Sequence, residues 1–246
     1  LNSDVAVDND WITPLYDFMQ SHPDAVAVQP KILSYTDRSR FEYAGASGGF
    51  LDKNGYPYCR GRVFSVVETD RGQYDEPIRV MWASGAALMV DNRAYLEAGG
   101  LDSSFFAHME EIDLCWRMQL LGGEVWCCPA SHVYHLGGGS LPAENPRKTY
   151  LNFRNNLLML YKNLPERGRT WRLIRRRLLD TLAFIKYAAT FDFKNAAAVW
   201  QAHRDYARMK KKVSVSGAKD DMLAGKPNIL VEYYLKRRRD FSSLSD

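Results

Sequence analysis

The chain has 246 residues, 46% hydrophobic and 25% charged, a globular composition able to bury a real core, which excludes a disordered or low-complexity protein. No apolar run reaches the roughly 18–20 residues that a membrane-spanning helix needs. Net charge is only +4, yet Arg167, Arg169, Arg172, Arg175, Arg176 and Arg177, then Lys210–Lys212 and Lys236–Arg239, crowd basic residues into the last third. That asymmetry points to an anionic surface: lipid headgroups, nucleic acid or an acidic substrate.

Residues 1–7 read as the end of a buried strand, and the absence of an initiator Met at Leu1 sets the expectation that a segment precedes it. Trp11, Ile12, Leu15, Phe18 and Met19 fall at helical spacing over 9–21. A strand is expected over 25–33, then a long excursion over 34–78 with a hairpin or two. The apolar stretch 78–90 is crossed by the small residues Ser84-Gly85-Ala86-Ala87, where a ligand or a backbone can approach closely. A short helix over 91–98 ends at Gly99-Gly100, and a second helix over 109–121 carries Glu110, Glu111 and Asp113 in its first turn, where the helix dipole favours negative charge. A strand over 124–128 follows. From Tyr150 the pattern is helical. Trp171, Ile174, Leu178, Leu182, Ile185 and Ala189 form one stripe with basic residues mostly off it, which describes a basic amphipathic helix. Residues 210–227 read as a flexible linker and 229–239 as a last short helix.

The chemistry concentrates between Phe105 and Arg117. Three carboxylates in four residues, set among aromatics, are costly near apolar surface unless the charge is used. His132 and His135 follow at the end of an apolar segment, then Gly137-Gly138-Gly139-Ser140. The four cysteines, Cys59, Cys115, Cys127 and Cys128, lack metal-ligand spacing, so zinc is not expected and reduced thiols in a cytoplasmic compartment are.

Five pieces in order carry a resemblance: Leu1-Asn2-Ser3-Asp4-Val5, the run Trp82–Val90, Gly99-Gly100-Leu101-Asp102, the stretch Phe106–Arg117, and Pro129–His135 with Ser140. Together they resemble the inverting family 2 glycosyltransferases, nearest to rhamnosyl- and galactofuranosyltransferase-like members, over about residues 1–163. The resemblance implies an α/β chain: the C-terminal portion of a GT-A-type (Rossmann-like) mixed sheet with flanking helices. That makes 1–163 a partial transferase domain holding the metal and acceptor half, and 164–246 a helical basic extension suited to associating with a membrane. The nucleotide-binding half that opens such domains would lie before Leu1.

Transfer from a nucleotide-diphosphate sugar needs a cation, Mn²⁺ or Mg²⁺, to hold the departing diphosphate and a base to take the acceptor's proton. By the resemblance, Asp4 and His135 hold the metal, with His132 the rival histidine and a nitrogen ligand favouring Mn²⁺. Asn2 stands where the family's first Asp does, and Glu111 takes the position of the catalytic base, one methylene longer than the usual Asp. Trp82, Ser84 and Gly85 match the segment lining the donor and acceptor pocket, although Trp82 reads equally well as core. Glu110 or Asp113 would touch acceptor hydroxyls or orient Arg117, and Arg154 would meet a phosphate. The implied partners are a nucleotide-sugar donor, a glycan or lipid-linked acceptor and an anionic membrane surface at the inner face of the membrane; nucleic acid is not expected. The competing reading is a non-catalytic carbohydrate- or membrane-binding module on the same fold.

Overall fold

The computed structural model describes residues 1–137 and 145–244. Gly138, Gly139 and Ser140 of the sequence reading lie outside the described residues. In chain order come β1 (Val5–Val7), α1 (Thr13–Ser21), β2 (Ala25–Ser34), β3 (Gly49–Leu51), β4 (Pro57–Cys59), β5 (Arg62–Val63), β6 (Val66–Val67), β7 (Ile78–Arg79) and β8 (Met89–Val90). Then follow α2 (Asn92–Glu97), α3 (Glu110–Leu120), β9 (Glu124–His135), α4 (Pro146–Asn163), α5 (Glu166–Ala189) and α6 (Phe193–Met209). The fold is mixed α/β, as expected.

One sheet runs β1-β9-β2-β8, with β7 also paired to β9. The two long strands β2 and β9 run parallel, and both read as near-continuous apolar segments because helices or loops cover both faces. Their register slips between Pro30 and Lys31. Strand β9 carries on through Pro129 to His135, seven residues beyond its expected end. The excursion over 34–78 folds its middle part into a four-stranded antiparallel meander, β3-β4-β5-β6.

One apolar core runs through the molecule. Ala27, Ile112, Trp116, Leu157 and Leu160 share it with Leu173, Tyr206 and Leu223 from beyond residue 163. Three described helix starts carry a side-chain cap: Asp91 accepts from Ala94 N–H at 2.8 Å, Asn145 from Arg147 N–H at 2.9 Å with Pro146 at the first helical position, and Asp192 from Asn195 N–H at 3.2 Å.

Two expectations for the C-terminal third need correction, and the direction of the α5 stripe, which the sequence left open, is decided. The segment 210–227 lacks regular structure but packs back on the domain: Leu223 is fully buried, Ser216 N–H bonds Lys162 O at 2.8 Å, and Arg172 pairs with Asp221. The expected last helix starts at Ile229 as read but ends early, at Leu235, and is π-helical over Val231–Leu235. In α5 the apolar stripe faces outward: Trp171, Leu178, Leu182 and Ile185 are exposed, while Leu173, Arg176 and Asp180 face in. Among the described residues no helix is long and apolar enough to cross a membrane.

Candidate active site

Antiparallel pairing of β1 with the end of β9 sets Val5 opposite His135 and seats Asp4 O on Leu136 N–H at 3.0 Å. Asp4 Oδ1 thereby lies 3.3 Å from His135 Nε2. The other imidazole nitrogen points at Glu42 Oε2, 3.4 Å away, without the geometry of a good hydrogen bond. Glu42 raises the His135 pKa most, against the desolvation that lowers it, with Asp4 adding to the rise. Side chains alternate along a strand, so His132, three residues earlier, takes the opposite face, where it pairs with Asp8 at 2.6 Å. The rivalry between the two histidines is thus decided by strand parity in favour of His135 as Asp4's neighbour.

The second part of the site is the entry to α3. Phe106, His108 and Met109 all have positive φ (66°, 67° and 72°), a conformation L-residues rarely adopt. Buried Asn155 of α4 holds this turn: its amide donates to the carbonyls of Phe105, Ala107 and His108 at 3.0, 2.8 and 2.7 Å. Arg154 assists, donating to Ser104 O and Phe105 O at 3.1 and 2.8 Å. The turn presents Glu110 and Glu111, whose Oε2 atoms are both buried and lack a hydrogen-bond partner. Burial, and then the neighbouring Glu110 charge, push the Glu111 carboxyl up to about 8. Glu110 is also raised by burial.

Gly85 joins the two parts. It is exposed, and a Cβ placed on it would lie 3.7 Å from Glu111 Cβ. Its neighbour Ala86 accepts from Asn2 N–H at 2.9 Å. The Gly85-Ala86 segment thus lies against Asn2 on one side and Glu111 on the other, between the β1 end and the acidic turn.

Four of the sequence candidates serve the scaffold instead. Trp82 is 3% exposed, donates to Phe50 O at 3.0 Å, and lies flat against Gly49, where a Cβ would come within 2.1 Å of its ring. It cannot stack on a sugar. Ser84 is buried, donating to Ala44 O and accepting from Ala86 N–H. Asp113 is fully buried and held by Arg117, Lys162 and Asn163 at 2.9, 2.9 and 2.8 Å. Arg117 also donates to Gly100 O at 2.8 Å and to Ala98 O. Orientation of Arg117, the second option for Asp113, is what the structure supports.

No family model matches the chain. Polypeptide N-acetylgalactosaminyltransferase 5 of Caenorhabditis elegans is 25% identical over 131 residues, 51% of this chain and 21% of the relative. Rhamnosyltransferase WbbL of Escherichia coli K12 is 34% identical over 56 residues, 23% of this chain and 21% of the relative. The low-salt glycan biosynthesis hexosyltransferase Agl10 of Haloferax volcanii is 24% identical over 164 residues, 64% of this chain and 48% of the relative. The chain is thus similar to glycosyltransferases of several kinds, in each case over part of their length. It spans about half of one of these relatives and a fifth of the other two. Among solved structures, GalNAc-T7 crystallised with UDP, GalNAc and Mn²⁺ matches 64% of this chain and 30% of its own, at 15% identity and a TM-score of 0.43.

Among the described residues no three His, Cys, Asp or Glu side chains converge to hold a metal unaided. Two do suit a shared cation. Neighbouring ligands of an octahedral ion at about 2.1 Å stand roughly 3 Å apart, and the 3.3 Å between Asp4 Oδ1 and His135 Nε2 fits that edge.

Sequence reasoning singled out neither Glu42 nor Asn155 for a role. Glu42 sits in the 34–78 excursion with no motif to mark it. Asn155 had a signal, an amide next to Arg154 on the helix facing the acidic turn, but its three acceptors are backbone groups of strained residues that composition does not announce. Asn155→Ala is expected to lower stability by about 2 kcal/mol, through the unmet carbonyls of Ala107 and His108 and a cavity, Phe105 O keeping Arg154, and to cut transfer by roughly tenfold or more as the turn relaxes. Urea unfolding of the variant, set beside its turnover, checks both.

Proposed function

We propose that this chain transfers a sugar from a nucleotide-diphosphate sugar to a hydroxyl of a glycan or lipid-linked acceptor, with inversion at the anomeric carbon in the manner of family 2 enzymes. The observation that carries the reading is the Glu111 carboxylate: buried, raised in pKa, unpartnered at Oε2, and set beside the open face of Gly85. A general base works best with a pKa near the working pH and a vacant lone pair for the incoming hydroxyl. Glu111 has both. Glu110 lies in reach of the same acceptor and keeps the Glu111 pKa high.

Asp4 and His135 would hold Mn²⁺ or Mg²⁺, which supplies charge to stabilise the departing diphosphate. Glu42 Oε2 lies 3.4 Å behind His135 Nδ1, where its charge favours the ring orientation that turns Nε2 to Asp4. Arg154 and Asn155 position the acidic turn.

The test is nucleotide release and product analysis with UDP-, GDP- and dTDP-sugars plus Mn²⁺. Inverted anomeric configuration of the product, read by NMR, supports the reading; retained configuration rejects it. Asp4→Ala and His135→Ala are each expected to lower turnover at limiting Mn²⁺ by on the order of a hundredfold, with partial recovery at high metal. Full activity of either variant in the presence of a chelator would remove the metal from the reading.

A further inference from the structure

We propose that the outer face of the α5–α6 hairpin docks on an anionic lipid bilayer. This inference is independent of the transferase reading, because it rests on how α5 is built.

Helix α5 is inside out. Its inner face is polar: Arg176 Nε donates to Asp180 Oδ1 at 2.9 Å, and His203 Nε2 lies 3.1 Å from Asp180 Oδ2. Arg176 also stacks 3.8 Å from the Tyr56 ring centroid and bonds Asn156. Arg176 and Asp180 are 4% and 0% exposed. Rolling the helix to hide its apolar side would strip this buried charge pair of its partners, which costs several kcal/mol. The inversion is locked.

The outer face consequently shows Trp171, Leu178, Leu182 and Ile185, between 54% and 76% exposed. At the tip and on α6, Phe191, Phe193 and Trp200 are also exposed, at 81%, 63% and 68%. Seven large apolar side chains exposed on one helical hairpin mark an interaction surface. Its charge selects the occupant. Arg175, Arg177 and Lys186 are exposed along the edges of the α5 stripe, while Asp180, the acidic residue of its middle turns, points inward. Two copies meeting face to face would oppose like charges. Anionic headgroups complement them, with Trp and Phe at the acyl boundary, the arrangement of an interfacial amphipathic helix.

The neighbouring face of α6 supports the same occupant. Lys194 and Gln201, each one position after Phe193 and Trp200, line a cavity of about 440 Å³ together with Phe106, Arg147, Tyr150 and Arg154. This basic, aromatic cleft opens beside the docking face and reaches the turn that presents Glu110 and Glu111. A molecule anchored in the bilayer would enter it from the membrane side.

The experiment is co-sedimentation of the full chain with vesicles of phosphatidylcholine alone, or of equal parts phosphatidylcholine and phosphatidylglycerol, at low and high salt. The wild type is expected in the pellet with the mixed vesicles, and less so at high salt. Leu178→Glu with Leu182→Glu should weaken partition by about a hundredfold, and Arg175→Glu with Lys186→Glu by about tenfold or more. Unchanged circular dichroism of both variants keeps the comparison to the surface alone. The proposal fails if the wild type stays in the supernatant with mixed vesicles, or pellets equally with phosphatidylcholine alone. It fails equally if the leucine pair instead converts a dimer into a monomer in analytical ultracentrifugation while neither form binds vesicles.

Discussion

Glu111→Gln is expected to lower transfer by roughly 10²- to 10⁴-fold, the usual contribution of a general base, while making the protein more stable at pH 8. The two effects share a cause. Burial first, and the Glu110 charge second, hold the Glu111 pKa at about 8, well above its ordinary value. A carboxyl whose folded pKa is raised binds more protons folded than unfolded between those two values. Folding stability therefore falls as pH rises from about 4.5 toward 8, and above the folded pKa the whole penalty is present. Glutamine keeps the shape and carries no charge to desolvate. A gain of about 1–2 kcal/mol, or on the order of 4 °C in Tm, is expected at pH 8, vanishing near pH 4 where wild-type Glu111 is protonated in both states. Thermal melts at the two pH values check the stability half. An equal Tm shift at both would refute the burial argument.

Glu110→Gln separates the two carboxylates. It removes the negative neighbour that raises Glu111, so the ascending limb of kcat/KM against pH should move to lower pH. A limb that stays in place would assign the titration to another group.

The α/β class and the main helices of the site were legible because their signals are local. Apolar periodicity marked α3 and α4, Gly99-Gly100 marked the end of α2, and the acidic first turn of α3 was readable from Glu110, Glu111 and Asp113. What the sequence left open was decided by long-range pairing. Strand parity separated His135 from His132, and only the β1–β9 register brings Asp4 to it. Trp82 and Asp113 look like ligand-binding residues in a linear motif, yet Gly49 and Lys162, far away in sequence, claim them for the core. The stripe on α5 was legible, but its direction was not. Its period was right, but periodicity names a face without saying which way it points, and Asp180 and Arg176 turned it outward.

Asp113→Ala should be among the most damaging substitutions for stability, at about 3–5 kcal/mol, because it removes the anion at the centre of a closed network. Asp113 Oδ2 accepts from Arg117 Nε and Lys162 Nζ, both at 2.9 Å, and Oδ1 accepts from Asn163 Nδ2 at 2.8 Å. Lys162 also donates to Asp102 Oδ2 at 2.6 Å. Through these bonds the carboxylate ties α3 to α4, and through Arg117 to the carbonyls of Ala98 and Gly100 that close α2. With alanine in place, Arg117 loses its anion and buried Lys162 keeps only Asp102 for charge balance. Asp102 is itself poised by that lysine: burial pushes its carboxyl up, but Lys162 and the bonds from Ser104 outweigh this and bring it down to about 2. A depressed carboxyl stabilises the fold above its unfolded pKa and ceases to do so as pH falls from about 4 to 2. Asp113→Ala should therefore steepen acid unfolding in that window, since Asp102 becomes Lys162's sole anion. Adding Lys162→Met removes the orphaned cation, so the double variant should cost at least about 2 kcal/mol less than the sum of the two single changes. Urea titration of the four proteins measures that coupling. Strict additivity would mean that Asp113 acts through packing alone, and the ion network would lose its place as the clamp between α2, α3 and α4.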